Sequence, residues 1–371
     1  MKLFSGRRDR STAESDAVAG PVAPTRRVIH IGPHKTGTTT VQSAFHHNRD
    51  AIAERGIHYV GPRLQPTQAV KAMTGVGSSG QTREDGKREW AELADKARHS
   101  GARDIVISSE FLCEADDDVA RQIVADLGGP ADTRVVITLR PLASIFPSQW
   151  QQFVQSSTTM ALDEWTEAVL DHAEQPTTVG LFWRRHQHDE LVRRWAAIVG
   201  PENVTVIVLD SRDKGQIIRE FARLLDLPED LLTPVSEVTN RSLTWEEAEA
   251  IRAFNIEFAE INARRAENGR PKLPLNVDER LAAWRHVKRR TPEPDEHRIT
   301  LPATAAERVA ALSNSIVDNI VASGAQLVGD IDLLRQVPAD ANEAAGPTMV
   351  STELASRLAN GLMLQTRRRK D

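Results

Sequence analysis

The sequence predicts an α/β fold in which a parallel sheet is flanked by helices and followed by a helical C-terminal region. Two observations carry this expectation. Short, nearly continuous β-branched runs recur at residues 28–31, 104–107, 134–139 and 204–209, and amphipathic segments of helical period separate them. Strands that are apolar at consecutive positions are buried on both faces, which is the condition of parallel strands covered by crossover helices.

Residues 1–26 are polar, contain Gly20, Pro21 and Pro24, lack periodicity, and are expected to form a disordered leader. The first buried element is the run Val28, Ile29, His30 and Ile31, which stops at Gly32 and Pro33. Val41, Ala44, Phe45 and Ile52 then recur at helical spacing, predicting one helix over 38–55. Residues 90–97, 119–127, 142–153, 162–170 and 191–199 read as the crossover helices. After Asp210 the strand signal fades, and residues 244–264 and 303–322 read as helices. The resulting expectation is one α/β domain over 27–335. A loose tail over 336–371 would follow it, carrying a short helix near 351–364.

The chain has 371 residues, 40% of them hydrophobic and 27% charged, enough to bury a substantial core. Lys and Arg total 47 against 52 Asp and Glu, and the net charge of −5 excludes the general basic excess of a nucleic-acid coat. A single cysteine, Cys113, excludes an intramolecular disulfide framework and a cysteine-cluster metal site. No run reaches the length of an apolar membrane span, and the start of the chain has no apolar signal-peptide region, so a cytoplasmic location is the expectation. No helical histidine pair with a carboxylate marks a zinc hydrolase, and no Gly-x-Ser-x-Gly elbow marks a serine hydrolase. No metal is expected.

Between the first strand and the first helix lies Gly32-Pro33-His34-Lys35-Thr36-Gly37-Thr38-Thr39-Thr40. Successive backbone N–H groups and a helix N-terminus favour an anion here, and Lys35 adds a full positive charge. A Walker A loop places its lysine directly after a glycine, whereas Lys35 stands two residues before Gly37. Arg140, where the strand over 134–139 ends, is expected to point toward the same crevice as Lys35, because ligands of open parallel sheets bind outside the carboxyl ends of the strands. Ser144 and Ser148 on the helix that follows are the competing hydroxyls. A third position of interest is Glu110, a carboxylate at the end of the strand over 104–107.

The stretch from His30 to Gln42, with Lys-Thr-Gly-Thr-Thr at its centre, resembles the phosphosulfate-binding loop of P-loop-type sulfotransferases, bacterial members above all. These enzymes use 3'-phosphoadenosine 5'-phosphosulfate (PAPS). The resemblance implies that Lys35 approaches the bridging oxygen of the phosphosulfate, while Thr36, Gly37, Thr38, Thr39 and Thr40 hold the 5'-phosphate. Arg140 and Ser148, eight residues apart, resemble the family's 3'-phosphate clamp. The segment from Val238 to Leu243, including Asn240 and Arg241, is similar to one that closes over the nucleotide. Val41 and Trp150 depart from the residues usual in many relatives.

Ser108-Ser109-Glu110 looks like the catalytic glutamate position of bacterial and carbohydrate-directed members, with His34 as the rival base. His30 is expected to be buried, His46 and His47 to lie on a helix turned partly to solvent, and His186 and His188 to alternate across a polar segment. The implied activity is sulfuryl transfer from PAPS, without a metal, to a hydroxyl of a small-molecule or glycan acceptor, a glycan or glycolipid being the expectation, with residues 61–90 and the C-terminal third as the expected walls of the acceptor crevice. Trp90, Trp183, Trp245 and Trp284 could stack on an acceptor or pack in the core. Two other readings are an atypical P-loop kinase and a non-catalytic nucleotide-binding interaction protein. The position of Lys35 and the want of a Walker B aspartate count against the kinase.

Overall fold

The computed structural model describes residues 26–77, 82–175, 177–233, 241–273, 275, 277–338, 346–347 and 349–367. Residues 1–25 of the expected leader lie outside this set. Six strands form one sheet: β1 (Arg26–Ile31), β2 (Ile57–Tyr59), β3 (Asp104–Ser108), β4 (Thr133–Leu139), β5 (Val204–Val208) and β6 (Gln326–Val328). Their order is β2-β3-β1-β4-β5-β6, and every pairing is parallel.

The first strand is central, with Ile29 opposite Ile107 of β3 on one side and Val135 of β4 on the other. Because side chains alternate along a strand, Ile29 and Ile31 join one apolar layer with Ile107 and Ile137. Val28 joins the opposite layer with Val106, Val136 and Phe45. This two-sided burial explains why the strand runs are apolar at consecutive positions.

Helices α1 (Thr38–His47) and α2 (Arg49–Ala53) follow β1, and α3 (Thr67–Thr74) with α4 (Arg83–Arg98) lies between β2 and β3. Helix α5 (Asp117–Asp126) connects β3 to β4. Between β4 and β5 run α6 (Leu142–Ser156), α7 (Leu162–Leu170), α8 (Thr177–His186) and α9 (His188–Val199). After β5 come α10 (Gln216–Leu224), α11 (Trp245–Glu267), α12 (Val277–Lys288), α13 (Ala306–Ala322) and α14 (Thr352–Arg367).

The structure departs from the sequence reading in several places, and helices α3, α8, α10 and α12 were not expected. The helix expected over 38–55 divides at Asn48, whose backbone N–H and side-chain Nδ2 both donate to the Ala44 carbonyl, at 3.2 and 2.8 Å. Strands β2 and β6 were not expected; each has only three residues, too few to show a period, and Leu327 of β6 is 37% exposed. The short helix expected near 351–364 is present as α14 (Thr352–Arg367), but it is docked on the domain rather than part of a loose tail. Leu354 is buried against Val287 and Ala250, with Leu358 packed beside it, because leucines four residues apart form an apolar stripe. Finally, His186 and His188 belong to the core rather than to a polar segment, and Phe182 lies 5.0 Å from His186 between ring centroids.

Burial holds the pKa of His30 down at about 3 and that of His188 at about 4, so both are neutral in the folded chain at pH 7. An unfolded histidine titrates near about 6.5, so below that pH the unfolded chain binds more protons. The stability tied to these two groups is therefore present above about pH 6.5 and lost as the pH falls toward about 4. Each should contribute a slope of about 1.4 kcal/mol per pH unit in that window. Urea unfolding across this range should show the decline, and His30→Gln should flatten it; an unchanged slope in that variant would refute the assignment.

Candidate functional site

The loop between β1 and α1 is held from beneath by hydroxyl groups. The Thr36 hydroxyl donates to the Pro33 carbonyl at 2.7 Å and lies 3.1 Å from the Thr138 hydroxyl of β4. His30 of β1 bridges the neighbouring strands, with Nδ1 2.8 Å from Ser108 Oγ and Nε2 3.3 Å from Thr138 Oγ1. The Thr38 hydroxyl donates to the Gly32 carbonyl at 2.9 Å. A Cβ at Gly32 would stand 2.1 Å from that hydroxyl oxygen, so no larger residue fits there.

Above this support the backbone turns sharply. Lys35 has φ 72° and Gly37 φ 83°, both in the left-handed region. This conformation is strained for a lysine and natural for a glycine. Gly37 is the N-cap of α1 and no side chain caps that end; the Thr40 N–H donates to the Gly37 carbonyl at 3.0 Å, and the N–H groups of Thr38 and Thr39 belong to residues that line the cavity.

That cavity has a volume of about 400 Å³. Lys35, Gly37, Thr38, Thr39 and Thr40 line one side, Glu110 and Arg140 reach it from the ends of β3 and β4, and Ser148 faces it from α6. Arg241 and Ser242, just before α11, and Lys288, at the end of α12, close it. Seven expected positions besides the loop glycine and Glu110 are thus brought to one place across more than two hundred residues of chain. Thr36 is not among them: it is fully buried and its hydroxyl is committed to Pro33 and Thr138, away from the cavity. Asn240 lies outside the described residues. Ser148 lines the cavity, whereas the Ser144 hydroxyl donates to the Pro141 carbonyl at 2.8 Å.

Lys35, Arg140 and Lys288 form no ion pair among the described residues, and Arg140 instead donates Nη1 to the Lys35 carbonyl at 3.1 Å. Burial first, and then the neighbouring Lys288, bring the Lys35 pKa down to about 8, with Glu110 opposing the shift and Arg185 and Arg140 adding to it. Burial likewise lowers the pKa of Arg140 and of Lys288. Arg241 is engaged differently, as a two-pronged pair with buried Glu247 at 2.7 Å on each oxygen. Glu247 also accepts from Arg290 Nε at 2.8 Å and completes the capping box of α11 with Thr244.

Both oxygens of Glu110 accept amide hydrogens, from Gln65 Nε2 at 3.0 Å and from Gln42 Nε2 at 3.2 Å. The rival His34 also lines the cavity, but its ring is 7% exposed and Nε2 lies 3.4 Å from Glu114, which accepts from Arg185 Nε at 2.9 Å. Burial lowers the His34 pKa. Among the described residues no cluster of His, Cys, Asp or Glu could hold a metal ion. None of Trp90, Trp183, Trp245 and Trp284 lines this cavity. Trp90, Trp183 and Trp284 donate their indole N–H groups to Asp126, the Val169 carbonyl and the Gln155 carbonyl.

Sequence reasoning missed Lys288, Gln42 and Gln65. Gln42 falls inside the loop stretch and Gln65 inside the expected crevice wall, but a glutamine has no local pattern that announces a carboxylate partner. Lys288 stands in a basic run, Lys288-Arg289-Arg290, that is indistinguishable in sequence from a solvated helix end.

No family model matches the chain, and no curated protein matches it. Among solved structures, a sulfotransferase from Alicyclobacillus acidocaldarius is similar, with 20% sequence identity and a TM-score of 0.41, over 71% of this chain and 100% of that chain. No helix of the described residues is long and apolar enough to cross a membrane.

An anion that binds beside Lys35 favours the protonated amine, so affinity should be pH-independent below about 8 and fall by up to tenfold per pH unit above it. Calorimetry of 3',5'-ADP between pH 7 and 9.5 reads this directly. Lys35→Met should weaken binding and reduce the slope; Lys288→Met serves as the control for the second lysine. A slope that Lys35→Met leaves intact would place the titration elsewhere.

Proposed function

We propose that this chain transfers a sulfuryl group from PAPS to a hydroxyl of a small-molecule or glycan acceptor. The observation that carries the reading is that Arg140 and Ser148 line the same cavity as the Lys35 loop. A ligand with anionic groups at two ends matches two cationic poles better than a single phosphate does. A helix end without a side-chain cap and three cations without ion pairs among the described residues fit such a ligand.

In this reading the N–H groups at the start of α1, with the Thr38, Thr39 and Thr40 positions, hold the 5'-phosphate. Arg140 and Ser148 hold the 3'-phosphate. Lys35 sits where negative charge grows as the sulfur–oxygen bond to the phosphate breaks. The acceptor oxygen forms the new bond to sulfur and passes its proton to Glu110, whose carboxylate Gln42 and Gln65 keep oriented. Products are the sulfate ester and 3',5'-ADP, so atoms and charge balance without a metal. Among the described residues the lining of the cavity has no Phe, Tyr or Trp, which supports a hydroxyl-rich acceptor over a phenol.

Glu110→Gln keeps the shape and cannot accept the proton, so kcat should fall by about 100- to 10,000-fold with little change in nucleotide affinity. The assay is release of 3',5'-ADP together with mass spectrometry of candidate glycans. A variant that loses nucleotide binding while retaining its rate at saturation would make Glu110 structural and turn attention to His34.

A hydrogen bond to a charged group contributes about 1.5 to 3 kcal/mol, so Arg140→Ala should weaken 3',5'-ADP by roughly 10- to 150-fold and leave 5'-AMP almost unchanged. Calorimetry of both nucleotides reads the difference. Equal affinity of the unmodified protein for both, or preference for Mg-ATP, would replace the sulfotransferase reading with a kinase one.

A further inference from the structure

A second cavity of about 400 Å³ is bordered by α11 and α12 and lined by Ser157, Asn255, Phe258, Asn262, Lys272 and Arg280 among others. Arg280 is only 8% exposed. Its Nη1 donates to Asn255 Oδ1 at 3.1 Å, and its guanidinium carbon lies 5.1 Å from the centre of the Phe258 ring. Among the described residues it has no carboxylate partner.

A buried cation without a counter-ion is costly, and proteins normally supply an acidic group to offset it. Here the described neighbouring groups are a neutral amide and a ring face. Asn255 cannot turn away to find another role: its Nδ2 donates to the Val154 carbonyl at 2.8 Å and to the Thr158 carbonyl at 3.1 Å, holding its oxygen toward Arg280. The guanidinium is therefore held in place by a residue that does not neutralise it. A second cation, Lys272, stands exposed at the rim, and the described lining contains no acidic side chain.

We infer that this cleft is a second anion site, taking the oxyanion of a sulfate, phosphate or carboxylate group on the Arg280 fork with Lys272 at its mouth. The planar fork of an arginine matches two oxygens of such a group. The site does not depend on the sulfotransferase reading. It is nevertheless tied to the first cavity, because α12 carries Arg280 near one end and Lys288 at the other, eight residues or about 12 Å along the axis. Between them Trp284 is pinned to α6 by its N–H to the Gln155 carbonyl at 2.8 Å, and Gln155 lines the first cavity.

The first cavity also attracts oxyanions, so the test uses the full chain carrying Lys35→Ala and Arg140→Ala together. Inorganic sulfate titrated calorimetrically into this double variant should still bind at one site, and adding Arg280→Met should weaken it by roughly 10- to 150-fold. Galactose 6-sulfate forms the second arm. Tighter binding of the sugar sulfate than of the free ion, lost with Arg280→Met, assigns the site to an acidic carbohydrate; equal binding assigns it to the free oxyanion. Should Arg280→Met fail to fold by circular dichroism, Arg280→Lys and the exposed Lys272→Ala replace it, each expected to weaken sulfate several-fold. No saturable sulfate binding in the double variant, or binding that these substitutions leave unchanged, overturns the proposal.

Discussion

A neutral imidazole sits at the point where the sheet becomes a binding site. His30 reaches Ser108 on one neighbouring strand and Thr138 on the other, and Thr138 in turn meets Thr36 under the loop. Three strand ends and the loop are thereby tied by side chains, in addition to the backbone ladder. All of these groups are fully buried, where a polar atom left without a partner would be costly. The arrangement fixes the height and direction of the loop, and so the place at which Lys35 is held in its left-handed conformation. The strain at Lys35 is sustained by the support beneath it.

The electrostatics follow from the same geometry. Parallel strands deliver Glu110 and Arg140 to the same edge as the loop, and the helix after β4 adds Ser148. Lys35, Arg140 and Lys288 gather in a chain whose net charge is −5, each desolvated and without an ion pair among the described residues. Such a cluster disfavours the empty fold and favours an anionic ligand, because binding removes the repulsion that folding created. Glu247 shows the contrasting case, since it serves Arg241, Arg290 and the start of α11 at once and its charge is fully used within the structure.

The C-terminal helices are therefore a wall of the site as well as a flank of the domain. Helix α12 brings Lys288 to the first cavity and Arg280 to the second, while α14 covers its outer face through Leu354. Gln151 of α6 accepts from the backbone N–H of Leu243 at 3.0 Å, which joins the segment carrying Arg241 to the helix carrying Ser148. Movement of this segment would alter both ends of the cavity together.

The sequence alone determined the elements whose pattern is local: four central strands, because burial on both faces leaves a run apolar at every position, and the loop from Gly32 to Thr40, because its residue types are set by backbone geometry and by charge. Lys35, Glu110 and Arg140 could be placed for the same reason, each lying next to a strand end that could be located, whereas Ser148, inside the helix after β4, was picked out by its eight-residue spacing from Arg140 in the family resemblance. Other features depended on contacts between distant parts of the chain. Strands β2 and β6 are too short to carry a period, and they exist because a sheet edge offers them a ladder. Thr36 and Thr38 look alike in sequence, yet the turn between them commits the Thr36 hydroxyl to the interior and leaves Thr38 at the cavity. Lys288 and Arg280 carry no local pattern that sets them apart from other cations of the chain, and only the packing of α12 against α6 and α11 buries one and brings the other to the first cavity, because desolvation is a property of the folded surroundings and not of the residue.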